Sequence, residues 1–180
     1  MIALKQRILI AVVALAAGSA GLVLSQSRSS AVRAGTPADG TPILNLTLVD
    51  VDGRKQEVAQ WRGKVLVANF WATWCAPCRE EMPEFSRVSE QYAGKGVQFV
   101  GIGIDTVDNL RKFNKEIQVA YPLLIGEGNA MQASAAVGNT LMALPFTAIL
   151  NRAGKVTKVK LGKMDEPELK SALDKALGAD

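Results

Sequence analysis

Cys75 and Cys78 are the only cysteines in the chain, and just Ala76 and Pro77 separate them. Such a pair admits four chemistries: zinc ligation, covalent haem attachment, a structural staple, or reversible dithiol–disulfide exchange. A structural zinc site takes four ligands, mostly cysteine and histidine. The chain contains no histidine, so it lacks the donors for one. Haem attachment needs a histidine directly after the second cysteine, where this sequence has Arg79. A staple across three positions closes so small a loop that its entropic stabilisation is slight. Exchange chemistry is the reading with a physical benefit.

The flanking sequence supports it. Lys64-Val-Leu-Val-Ala-Asn-Phe-Trp71 is a nearly continuous apolar run, the pattern of a central strand covered on both faces. A helix is predicted from about Ala76, with Phe85, Val88 and Tyr92 on one face and Gly94 and Gly96 ending it. Cys75 therefore falls at a helix N-terminus, where unpaired N–H groups and the macrodipole favour a thiolate. Cys78, one turn further, is positioned to attack a mixed disulfide on Cys75. Pro77 suits a first helical turn because it has no N–H to leave unpaired. Pro83, inside the same helix, removes one ladder hydrogen bond and is expected to bend it.

The elements around this pair alternate. Leu44, Leu46 and Leu48 suggest a strand, Asp50–Gly53 a turn, and Lys55–Val58 a hairpin partner. Val97–Ile104 reads as a second buried strand, 107–117 as a helix, Tyr121–Ile125 as a short strand and 129–136 as a helix. Phe146–Leu150 and Lys155–Leu161 flank a hairpin turn, and Pro167–Leu177 closes the chain as an amphipathic helix. This order predicts an α/β sandwich around a mixed sheet, opened by a β-hairpin. Gly101-Ile-Gly-Ile-Asp-Thr106 imitates a dinucleotide-binding turn but lacks the third glycine. Close packing at a strand end explains it better. Trp61 reads as a packed turn residue, and Lys158 and Lys160 as the solvent face of a late strand.

The charge of +4 over 180 residues is unevenly placed. Lys5, Arg7, Arg28 and Arg33 are the only charged side chains before residue 35, and the 17 remaining basic residues equal the 17 acidic ones. With no basic stripe to track phosphates, a nucleic-acid partner is not expected. Residues 8–27 form a charge-free run of 20, about 30 Å as a helix and hence about one bilayer core. Residues 1–27 are expected to be a membrane anchor, because Leu22-Val-Leu24 continues the run past the small residues at Ala17–Ala20. The other reading is a cleaved signal peptide. Either places the remainder outside the cytoplasm, where disulfides persist. Residues 28–42 read as a flexible linker and 43–180 as the domain.

Phe70-Trp-Ala-Thr-Trp-Cys-Ala-Pro-Cys-Arg-Glu-Glu-Met-Pro83 resembles the active-site segment of TlpA/ResA-type thiol:disulfide oxidoreductases. These form a membrane-anchored branch of the thioredoxin superfamily. The resemblance extends from about residue 42 to the end, and Glu81-Met-Pro83 is its most specific part. It implies a thioredoxin-like three-layer sandwich behind an N-terminal hydrophobic helix, with no cofactor and no metal. Cys75 would be the exposed nucleophile and Cys78 the buried resolving cysteine. Leu144-Pro145 matches a loop whose proline is cis and faces the disulfide. Trp74, Pro77, Leu144 and Pro145 would line the partner groove. Glu81 matches the family's active-site glutamate, able to shuttle the proton of Cys78. Thioredoxins carry an aspartate where this chain has Asn69, an amide that cannot titrate.

The resemblance also implies a monomer facing the periplasm from the inner membrane. It would reduce disulfides in exported proteins, such as apocytochromes c or copper-site proteins, and be recharged by a membrane thiol donor. Two other functions remain open at this level. A peroxiredoxin-like peroxidase would need proline and threonine at Ala68 and Ala72. A copper-binding module would use both thiolates as soft ligands.

Overall fold

The computed structural model describes residues 38–126 and 128–178. The anchor and most of the linker expected from the sequence lie outside these. No helix among the described residues is long and apolar enough to cross a membrane.

Chain order begins with a short helix α1 (Thr41–Leu44) and the hairpin β1 (Thr47–Asp50) and β2 (Lys55–Glu57). A 3-10 turn, Val58–Trp61, leads into β3 (Val65–Trp71). Then come α2 (Ala76–Tyr92), β4 (Val97–Gly103), α3 (Val107–Glu116), β5 (Leu123–Ile125) and α4 (Ala130–Ala136). The second hairpin, β6 (Phe146–Leu150) and β7 (Val156–Leu161), precedes α5 (Glu166–Leu177). The strands form one seven-stranded sheet in the order β2-β1-β5-β4-β3-β6-β7. β3 runs parallel to β4, and β4 to β5, while the other neighbours are antiparallel.

β3 is buried at all seven positions, as its unbroken apolar run requires. Val65, Val67 and Trp71 face a core built with Phe85 and Val88 of α2, Phe113 of α3 and Leu173 of α5. Leu66, Ala68 and Phe70 face a second core with Ile43, Trp61 and Ala133. Helices thus cover both sides of the sheet in three layers. α2 runs through Pro83 as one element.

The described part begins packing before Ile43. Asp39 pairs with Lys155 as an isolated bridge, and the Gly40 N–H donates to Gly154 O at 3.0 Å. Leu44 and Leu46 are not in a strand as their alternation suggested. Pro42 opens α1 instead, and the Asn45 N–H closes it on Thr41 O at 2.9 Å. Leu44, Leu46 and Leu48 are all buried, so the alternation recorded burial across a helix-to-strand junction. Lys158 and Lys160 also differ from expectation. Both are half-buried and bind Glu168 of α5, at 2.9 and 2.8 Å, which leaves Val159 and Leu161 exposed on this edge strand. Gly101 and Gly103 behave as close-packing residues: a methyl group at Gly103 would come within 2.4 Å of Leu110 Cδ2.

Candidate active site

β3 ends at Trp71, and four residues later Cys75 caps the N-terminus of α2 with extended backbone, φ −86° and ψ 101°. Its carbonyl accepts from the Arg79 N–H at 3.2 Å, while its own N–H donates to Ala72 O at 3.2 Å. Pro77 lies in the first turn. Cys75 and Cys78 are joined in a disulfide with Cα atoms 5.3 Å apart. Cys75 is less open than the resemblance implied. It retains 5% of its surface, against none for Cys78, to which the disulfide joins it. The order of access is nevertheless the expected one. Trp74, beside Cys75, is 71% exposed.

Asp105, after β4, holds the loop that carries the pair. Its Oδ2 accepts from the Thr73 N–H at 3.3 Å and from the Thr73 hydroxyl. Its Oδ1 accepts from the Thr106 N–H and from Asn109 Nδ2, each at 2.7 Å. Burial pushes this carboxyl up, but the Thr73, Asn109 and Thr106 donors outweigh it and hold the carboxyl below its usual range. Sequence reading missed Asp105, because nothing local reveals a partner 32 positions away.

Glu81 lies three residues beyond Cys78, on the same helical face, and is fully buried. Asn69 Nδ2 donates to its Oε1 at 2.9 Å and the Met164 N–H to its Oε2 at 2.9 Å. Asn69 Nδ2 also donates to Thr147 Oγ1 at 3.1 Å. Burial dominates and pushes the Glu81 carboxyl up to about 7, against the opposing pull of Met164, Asn69 and Lys163. The carboxyl is thus poised to gain or lose a proton near neutrality.

The bond between Leu144 and Pro145 is cis. Phe146 pairs with Phe70, so the register sets Pro145 against the end of β3, where the cysteine loop begins. Leu144 is half-buried and Pro145 buried. Asn139 shapes the approach to this bond. Its Nδ2 donates to Ala143 O, and its Oδ1 accepts from the Ala143 N–H, both at 3.0 Å. Leu141 and Met142, exposed on the same loop, carried no sequence signal.

A disulfide capping a helix at the carboxyl end of a central strand, in a three-layer α/β sandwich, defines the class of thioredoxin-like thiol–disulfide exchange proteins. The chain belongs to the Redoxin family, whose model matches residues 36–177. It is similar to the thiol-disulfide oxidoreductase ResA of Bacillus anthracis, 30% identical over 73% of this chain and 74% of that one. ResA of Bacillus subtilis (strain 168) is also 30% identical, over 72% of this chain and 70% of its own. Among solved structures, a thioredoxin-family thiol:disulfide interchange protein from Chlorobium tepidum TLS superposes with a TM-score of 0.70. It is 28% identical and covers 79% of this chain and 97% of its own. A thioredoxin-related protein from Neisseria meningitidis serogroup B gives 0.65 at 34% identity, covering 73% and 98%. The activity of this chain is that of a thiol–disulfide oxidoreductase acting on disulfide-bearing partners. With no other cysteine present, that activity has only Cys75 and Cys78 to run on.

Proposed function

We propose that the chain reduces disulfides in exported proteins, held to the membrane by residues 1–27 and recharged by a membrane thiol donor. Cys75, its thiolate favoured at the α2 N-terminus, attacks one sulfur of the partner's disulfide. A mixed disulfide forms and the partner's second sulfur leaves as a thiolate. Glu81 takes the proton of Cys78, whose sulfur attacks Cys75. The Cys75–Cys78 disulfide closes, and two electrons have passed to the partner, which departs as a dithiol. A donor dithiol then reverses the exchange on this chain. Trp74, Pro77, Leu144 and Pro145 form the groove that receives the partner.

The observation that carries this reading is Glu81, buried one helical turn from Cys78, where burial pushes its carboxyl up to about 7. A proton acceptor inside the core is what a buried resolving thiol requires. A carboxylate there also disfavours a second negative charge on Cys78. That destabilises the reduced thiolate form, the sense that lowers a reduction potential. Apocytochromes c awaiting haem and copper-site proteins are the substrate types this reading favours.

Capture of partners tests it. Cys78→Ala expressed in cells should accumulate mixed disulfides through Cys75 with exported, cysteine-pair proteins, and Cys75→Ala should accumulate none. Equal capture by both variants, or none by either, would contradict the assigned roles.

A further inference from the structure

Among the described residues, three buried side-chain atoms lack a hydrogen-bond partner: Asn69 Oδ1, Trp71 Nε1 and the Tyr121 hydroxyl. They are not scattered. Asn69 and Trp71 project from β3 toward the core that α2 covers, and Asn69 lies opposite Gly101 in the β3–β4 register. A methyl group built on Gly101 would meet Leu123 Cδ2 at 2.6 Å, and would stand 3.1 Å from Trp71 Nε1 and 3.2 Å from Tyr121 Cε2. Trp71 Nε1 and the Tyr121 ring therefore flank the bare backbone of Gly101, and Asn69, its register partner on β3, reaches Glu81 at 2.9 Å. Leaving such atoms dry costs about 1–3 kcal/mol each. Together they supply an acceptor, a donor and a hydroxyl able to do both, the complement that buried water satisfies.

We propose that Asn69, Trp71 and Tyr121 hold buried water behind Glu81, and that Tyr121 is a positioning residue for the proton Glu81 exchanges with Cys78. The proposal deepens the role assigned to Glu81 and rests on it. Two further observations support it. The Ala120 N–H donates to Ser86 Oγ at 2.8 Å, which pins the Tyr121 segment to α2. Tyr121 also forms part of the wall of a surface cavity of about 260 Å³, with Asp50, Arg54, Gln56 and Asn114 and no residue of α2. Tyr121 thus stands between open solvent and the Glu81 site. A partner docked over Cys75 closes the front of the site to water. The rear path lets Glu81 exchange its proton while the mixed disulfide is still in place.

The charged and titratable groups bearing on Glu81 are Glu84 from α2, Lys163 from the loop after β7, and Tyr121 from the segment before β5, while Cys78, one turn earlier on α2, is tied up in the disulfide. Asn69 and Thr147 add uncharged donors and acceptors from β3 and β6. Tyr121→Phe removes one hydroxyl and leaves every charge in place. In the oxidised full chain, where no thiol titrates, carbon-13 NMR of labelled glutamate follows Glu81 directly. Its midpoint should rise by on the order of one pH unit, since the hydroxyl and its water hydrogen-bond the charged form. The acidic limb of the exchange-rate profile of reduced protein should rise with it. An unchanged Glu81 midpoint overturns the proposal. A shifted midpoint upholds the water site behind Glu81; if Glu81→Gln nevertheless leaves exchange rates intact, Glu81 is removed from the chemistry and the positioning role of Tyr121 is overturned with it. Independently, a high-resolution crystal structure should show water bonded to the Tyr121 hydroxyl, and a dry pocket there also overturns it.

Discussion

Glu81 carries an energetic signature that is separate from the role proposed for it in exchange. Burial raises its carboxyl from the unfolded value of 4.5 to about 7. A raised folded value means that the native state holds the proton more tightly than the unfolded chain. The associated stability is complete below pH 4.5 and is lost as pH rises through about 7. Integrated over that window it amounts to roughly 3 kcal/mol. Urea unfolding of the oxidised protein at a series of pH values should therefore show a decline between the two limits. Glu81→Gln, neutral throughout, should flatten it, and an undiminished slope in that variant would place the titration elsewhere. Glu81 itself was legible through the resemblance, whose Glu-Met-Pro pattern marks the position. Its setting was not. Met164, which fixes one carboxylate oxygen, is 83 positions away, and Asn69 read only as a lost aspartate. Tyr121 looked like an ordinary strand residue, since an orphaned hydroxyl exists only once the core has closed.

At the scale of elements, the catalytic loop is held at both ends. β3 delivers it from a strand paired on both sides, and Asp105 ties Thr73 to the start of α3 through Thr106 and Asn109. Asp105→Ala leaves those donors without their acceptor, at a cost of about 1–3 kcal/mol in unfolding free energy. It should also loosen the α2 N-terminus, which is measurable as faster amide hydrogen exchange at Thr73–Ala76. Protection equal to that of the parent protein would show that β3 alone holds the loop. Most element types were readable because apolar periodicity reports burial and capping residues report ends. Readings failed where burial and secondary structure part company. Leu44 alternates with Leu46 across the end of a helix, and Lys158 and Lys160 look solvent-facing until Glu168 of α5 is brought over them. In both cases the deciding contact comes from another element.

For the molecule as a whole, the family, the three-layer architecture and the redox pair follow from one short segment set on a buried strand. The direction of electron flow does not. It depends on the relative stability of the dithiol and disulfide forms of the entire domain. In the proposed reading, the features that set this balance are the α2 N-terminus acting on Cys75 and the buried carboxyl acting on Cys78. The first favours the reduced thiolate and the second opposes it, and the central claim is that the second keeps the domain a reductant. The most direct test is the reduction potential of the Cys75–Cys78 couple, obtained by equilibrating the full chain with dithiothreitol buffers and counting free thiols. A value near thioredoxin's, about −270 mV or below, is predicted. A value near that of a strong oxidant, about −120 mV, would contradict the account.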